Sequence, residues 1–285
     1  MIILVTGANG FLGRHIANTL KRAGHQVREL NRANGGDFER LRTPQAWLPH
    51  LDGVEAVVNC VGIIAETSSQ RFSVVHGEAP IALFRACVAG GVRRVVQISA
   101  LGTDDGAASR FHLSKREADD VLRSLSLEWF VLRPSLVVGG KSTGWLRRLA
   151  NLPVWVLPGT GNQVLQPVHL RDVTDSVLQC LEDHLPPRQT IDLVGPEALS
   201  LKEFLLLLRR ADQRNAPWIW LIPVNWLMAI AHLAAPFAPL FSPDNLAMLH
   251  RSVIADGAPF ARLLGRNPYS IEASCREERH ELSAT

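Results

Sequence analysis

The feature that most constrains this chain is its first thirteen residues, where an apolar run, Ile2–Thr6, leads directly into Gly7-Ala8-Asn9-Gly10-Phe11-Leu12-Gly13 and then an amphipathic segment. Three glycines at that spacing between a strand and a helix each meet a steric demand. The first allows the tight turn off the strand, the second lets backbone approach a ligand, and the third lets the helix pack against the sheet. The helix N-terminus then presents free N–H groups to an anion. A pyrophosphate-bearing dinucleotide is the ligand this arrangement predicts, held by Gly7, Asn9, Gly10, Phe11, Leu12, Gly13 and Arg14.

The rest of the N-terminal half continues the pattern. Short apolar runs at Gln26–Leu30, Ala56–Val61, Arg94–Ser99 and Trp129–Arg133 alternate with helical segments at Phe11–Ala23, Gln70–Ala89 and Ser109–Leu127, with Gly24 and Gly90-Gly91 as stops. Near-continuous apolar character suits strands buried on both faces. The predicted fold is α/β, a Rossmann-type doubly wound parallel sheet over residues 1–140. A smaller C-terminal α/β lobe over 141–285 is expected to be partly interleaved with that core.

In the C-terminal half, strands are expected near Val154–Leu157 and Val164–Val168 and helices at Arg171–Glu182 and Asp244–Val253. The pattern Ser200-Leu201-Lys202-Glu203 is a capping box opening a helix over Leu201–Ala211. Pro217–Pro243 holds no charged residue, and His232 is its sole titratable group. Its length would allow a membrane span, but Pro223, Pro236 and Pro239 leave only Val224–Ala235 uninterrupted. A lid or core helix, or a helix docking to a membrane surface or partner, fits better than a span.

Composition narrows the function classes. Thirty basic and 27 acidic residues give a net charge of +3. The basic residues form only short doublets, which is no nucleic-acid footprint. Cys60, Cys87, Cys180 and Cys275 lie far apart without a Cys-x-x-Cys pair, so buried thiols in a reducing, cytoplasmic setting are expected, at most peripheral at the inner face of a membrane. No metal site is expected, because His169 and Asp172 lack companions. Gly139-Gly140-Lys141-Ser142 imitates the end of a phosphate-binding loop, but Ser135 stands where its first glycine should be, so it is read as a loop over the ligand.

Several further segments match one family. The Gly-x-x-Gly-x-x-Gly spacing, Val57-Val58-Asn59-Cys60-Val61-Gly62, Ile98-Ser99-Ala100-Leu101-Gly102, Leu132-Arg133-Pro134-Ser135 and Pro167-Val168-His169-Leu170-Arg171-Asp172-Val173 resemble the extended and atypical short-chain dehydrogenase/reductases. Val74-Val75-His76 and the Ser-Ala-Leu-Gly turn resemble the branch that includes the NAD(P)H-binding accessory subunit of respiratory complex I. The resemblance places Cys60, Val61, Gly62, Ser99, Lys115 and Pro134 beside the cofactor.

NAD-specific relatives carry an acid at the end of the second strand. Asn31 followed by Arg32 stands there instead, with Arg14 at the loop exit, which favours a 2′-phosphate. NADP(H) is therefore the expected cofactor, with NAD(H) also admitted.

The family's reductases use Tyr-x-x-x-Lys, the phenol moving a proton and the lysine binding the nicotinamide ribose. The matching residues here are Phe111 and Lys115, and the only tyrosine is Tyr269. The position of the family's Ser or Thr is Leu101. Lys115, Ser99 and His76 are the catalytic candidates that remain, followed by His112. Two readings stay open. One is an NADP(H)-dependent oxidoreductase or isomerase acting on a small or quinone-like substrate held between Ser99, Pro134 and the C-terminal lobe. The other is a non-catalytic NADPH-binding accessory or sensor protein that docks to a membrane, respiratory-chain or quinone-pathway partner through Pro217–Pro243.

Overall fold

The computed structural model describes residues 1–139, 144–223 and 253–275. They form two compact units, Met1–Pro134 with Thr174–Asp192, and Ser135–Val173 with Leu193–Thr285. The chain thus leaves the first unit at Pro134, six residues before the boundary expected from the glycine and proline texture, and returns to it later.

The first unit contains β1 (Ile2–Thr6), α1 (Phe11–Arg22), β2 (Gln26–Leu30), α2 (Pro44–Leu51), β3 (Ala56–Asn59), α3 (Ala79–Ala89), β4 (Arg94–Ile98), α4 (Arg110–Ser124) and β5 (Glu128–Pro134). In the second, β6 (Val137–Val138), α5 (Gly144–Ala150), β7 (Val154–Pro158), β8 (Val164–Leu165) and β9 (Val168–His169) precede α6 (Leu170–Leu181), which leads back to β10 (Gln189–Leu193). The chain ends its described course with β11 (Leu199–Ser200), α7 (Leu201–Ala211), β12 (Trp218–Ile222) and α8 (Ala258–Leu264).

The main sheet has the order β10-β5-β4-β3-β1-β2, and β1 to β5 run parallel. Strand order reverses between β1 and β3, and in an open parallel sheet the carboxyl ends of strands flanking such a reversal frame the ligand crevice. The five expected strands and two of the three helices form within a few residues of their predicted limits, while the helix expected over Gln70–Ala89 is divided into a π-helical turn, Ser73–Glu78, and α3. The α/β Rossmann-type reading is therefore correct.

Burial on both faces explains the apolar strands: Ile3, Val5, Val57, Val58, Val95 and Val96 are all fully buried. One face packs on Trp47, Leu83, Phe84, Cys87 and Leu122. Two elements of this unit escape the sequence reading. Helix α2 holds Pro44 at its start and Pro49 inside it, so it lacks a helical signature, yet it seats Trp47, whose indole N–H donates to the Leu41 carbonyl over 2.8 Å. Strand β10 is a short, half-polar edge, and edges carry the weakest apolar signal.

In the second unit, Trp155, Leu157, Phe204, Leu205, Leu208 and Ile271 build a separate core. The Ser200 and Glu203 capping box forms as expected. The start of the charge-free stretch, ahead of the expected helix, forms a strand: β12 pairs with β7 in parallel, Trp218 opposite Val154 and Trp220 opposite Val156. The expected helix Val224–Ala235 lies outside the described residues, as do Gly140, Lys141, Ser142 and His232, and so does the expected helix Asp244–Val253 apart from its last residue. Among the described residues no helix is long and apolar enough to cross a membrane.

Candidate functional site

The carboxyl ends of β1 to β5 bring the predicted cofactor residues together. Gly7 adopts the left-handed conformation, φ 65°, and a side chain there would meet Val61 and the Cys60 carbonyl carbon. At Gly13 a Cβ would stand 2.2 Å from the Gly7 carbonyl oxygen, a distance no real side chain tolerates. These glycines are needed because α1 starts so close beneath the loop. The helix opens at Gly10 with neither a side-chain cap nor an acidic residue in its first turn, which leaves the Phe11, Leu12 and Gly13 end electropositive.

At the end of β2, Asn31 acts as scaffold. Its Oδ1 accepts from the Ala33 N–H over 2.9 Å, and its own N–H donates to Asn34 Oδ1 over 2.7 Å. A longer contact of 3.5 Å joins Asn31 Nδ2 to Asn9 Oδ1 in the glycine loop. The capped turn presents Arg32, exposed and without a hydrogen bond or ion pair among the described residues. Arg14 lies half-buried with its guanidinium 5.8 Å from the Phe11 ring centre.

Helix α4 supplies the family's lysine. Lys115 is buried, and its Nζ donates to the Ile98 carbonyl over 3.2 Å. An ammonium carries three donors, so two have no protein partner among the described residues. Burial pushes its pKa down while Asp119 opposes the shift. The ammonium faces Gly62, where a Cβ would sit 3.3 Å from Nζ, and lies 5.8 Å from the Phe111 ring centre. Cys60 stands nearby with its thiol pushed up to about 12 by burial, so it is neutral. Pro134 closes the row at the end of β5, its carbonyl accepting from the Leu101 N–H over 2.9 Å.

The proton-transfer candidates turn elsewhere. Ser99 is buried and its hydroxyl donates to Asp119 Oδ2, with Thr103 Oγ1 at 3.2 Å. The Asp119 carboxylate of α4 thus anchors the Ser99 hydroxyl at the end of β4. His76 lies in a π-helical turn, Ser73–Glu78, that leads into α3. Its Nε2 accepts from the Ile63 N–H over 3.0 Å, which leaves the proton on Nδ1, facing Ser114 Oγ at 3.0 Å. Ser114 in turn donates to the Phe111 carbonyl over 2.9 Å.

The His76 ring stacks on Phe72 and meets Phe111 edge-on. Burial and the Lys115 charge hold its pKa well below the ordinary histidine range. His76 is thus held neutral between Ile63 and Ser114. His112 likewise ties Ser109, 2.8 Å from Nδ1, to the Leu101 carbonyl, 3.0 Å from Nε2.

Sequence reasoning missed Asp119. It sits one turn beyond Lys115, fully buried, with Oδ1 unpaired. Its i, i+4 relation to Lys115 was the available signal. Polar Thr6, Asn59 and Gln97, each in an otherwise apolar strand, were a second. They form a buried ladder, Thr6 donating to Asn59 over 2.5 Å and Asn59 to Gln97 over 2.7 Å.

Burial raises Asp119 from 3.8 to about 6, against the Ser99 hydroxyl and the charges of Lys115 and Arg123. A raised carboxyl pKa means the folded state holds the proton longer than the unfolded chain. Stability falls as the pH rises from about 4 to about 6 and stays lowered above, by about 3 kcal/mol. Asp119→Asn should therefore gain about 3 kcal/mol on the parent protein between pH 4 and pH 7. Urea titrations at the two pH values check this, and a constant difference would show that Asp119 titrates normally.

Comparison with known proteins agrees with the geometry. A family model described as NAD(P)H-binding matches residues 7–184, which takes in the glycine loop, Lys115 and β2 to β5. The chain belongs to this NAD(P)H-binding family. The mouse NADH dehydrogenase [ubiquinone] 1 alpha subcomplex subunit 9 is 27% identical over 95% of this chain and 78% of its own length. The 40 kDa subunit of Neurospora crassa NADH-ubiquinone oxidoreductase is 26% identical over 94% of this chain and 76% of its own. A ceramide reductase of Caulobacter vibrioides is 27% identical over 60% of this chain and 58% of its own.

Among solved structures, UDP-glucose 4-epimerase of Thermotoga maritima superposes with a TM-score of 0.75 at 16% identity. The match covers all of this chain and 99% of that one. The likeness shows a shared fold. The atypical short-chain dehydrogenase/reductase resemblance is thus correct.

Proposed function

We propose that this member of the NAD(P)H-binding family holds NADP(H) and lacks the family's usual proton-transfer apparatus, so that its primary role is to bind the cofactor. The observation that carries the reading is Lys115, a buried ammonium with two open donors, beside a phenylalanine where the phenol belongs. Its donors suit a ribose diol, the glycine loop and the start of α1 suit a pyrophosphate, and Arg32 suits a 2′-phosphate. When bound, the dinucleotide supplies a hydride at its nicotinamide. The protein must then supply a proton, and Ser99, His76 and His112 are all engaged in holding the fold.

The relatives named as subunits of NADH dehydrogenase and of NADH-ubiquinone oxidoreductase favour an accessory role as one subunit of a larger assembly. The relative named ceramide reductase supports a second reading, an oxidoreductase in which a substrate group or water replaces the phenol.

Lys115→Ala tests the binding role directly. Calorimetric titration should show NADPH affinity falling about tenfold or more, the value of one or two hydrogen bonds from a charged donor. Because Lys115→Ala also removes a buried charge, circular dichroism and a melt accompany the titration. A folded variant with parental affinity would overturn the assignment of Lys115 to the cofactor.

A further inference from the structure

We propose that the outer face of the β7 and β12 ribbon docks this protein onto an anionic phospholipid bilayer. Parallel pairing puts Val154 beside Trp218 and Val156 beside Trp220, on one face. That face is open: Trp218 is 77% exposed, Trp220 66%, Val156 49% and Val154 43%. Of the alternate residues, Trp155 and Leu157 are buried and Ile219 packs on the same core, whereas Leu221 near the far end is 54% exposed. Rigid anchoring from behind separates this face from a frayed strand. Two exposed tryptophans so placed match the interfacial layer of a bilayer, where an amphipathic ring has apolar contact for its body and polar contact for its N–H.

Charge identifies the surface. Arg148 precedes β7, and Arg210 and Arg214 precede β12, at the same end of the two parallel strands. All three are exposed and make no ion pair among the described residues. The nearby acid, Asp212, is taken by Arg147 and Asn151. Arg209 holds this end together, its guanidinium donating to the carbonyls of Ala150 and Leu152 over 2.7 Å. An apolar face with unneutralised cations on the segments leading into the same end of both its strands is complementary to anionic headgroups over acyl chains.

Flotation of the full-length protein with vesicles of phosphatidylcholine, with or without phosphatidylglycerol, tests the proposal. The protein should float with the anionic vesicles, much less with the neutral ones, and added salt should release it. Trp218→Ser with Trp220→Ser should cut partitioning at least tenfold while NADPH binding, measured in the same preparation, stays at the parental value. Should that pair fail to fold, Arg148→Gln, Arg210→Gln and Arg214→Gln together leave the apolar face in place and should abolish the preference for anionic vesicles. No flotation with anionic vesicles, or flotation that neither set of substitutions reduces in folded protein, would overturn the proposal. So would a dimer in solution that the tryptophan changes dissolve, since a second copy would then cover the face.

Discussion

Stopped-flow mixing of the NADPH-loaded protein with aldehydes, ketones and quinones is expected to give oxidation about 10²–10⁴-fold slower than a site with a working general acid, the usual contribution of that group. Phe111 retains the aromatic ring and omits the hydroxyl. The ring is buried among Phe72, His76 and His112. The His76 Nδ1 proton faces Ser114, not open space. Phe111→Tyr restores the phenol at the cost of one added oxygen in a tightly packed place. Leu101 still withholds the second hydroxyl, so the single change should recover part of the rate and Phe111→Tyr with Leu101→Ser more. Fast, substrate-dependent turnover by the unmodified protein would show that another proton source operates and would favour the oxidoreductase reading over the accessory one.

NADPH should bind roughly ten- to a hundredfold more tightly than NADH, the value of about 1.5–3 kcal/mol for a charge-assisted hydrogen bond to phosphate. Arg32→Ala should remove most of that difference while leaving NADH affinity nearly unchanged. The Asn31 and Asn34 caps hold the turn through backbone groups and amide side chains, so deleting the guanidinium should leave its shape intact. Arg14, engaged with the Phe11 ring, should contribute less. Raising ionic strength should narrow the gap, since Arg32 is exposed and screened. Equal affinities for the two cofactors in the parent protein, measured by calorimetry, would refute the 2′-phosphate assignment.

How far the site was legible in the sequence differs residue by residue. Gly7 and Gly13 were readable because their constraint is local, a turn and a close approach within one strand-loop-helix unit. Lys115 was readable through its spacing from Phe111 on one helix. Asn31 was placed at the right strand end, and only the structure shows that its amide also caps the very next turn. The surface strand Trp218–Ile222 was not anticipated from the sequence. Its pairing partner, β7, lies about 60 residues earlier, and an uninterrupted apolar run has no period to betray a strand.

The sequence by itself determined the α/β class, the order and approximate limits of β1 to β5, and the loop that receives a dinucleotide, because burial pattern, glycine conformation and helix capping act over a few neighbouring residues. Only the tertiary structure decided that the proton carriers were engaged. His76 is fixed by Ile63 and by Ser114, 13 and 38 positions away, and Ser99 by Asp119, 20 positions away. Hydrogen-bond direction and tautomer depend on which partners the folded chain brings within about 3 Å, and spacing along the sequence carries no record of that.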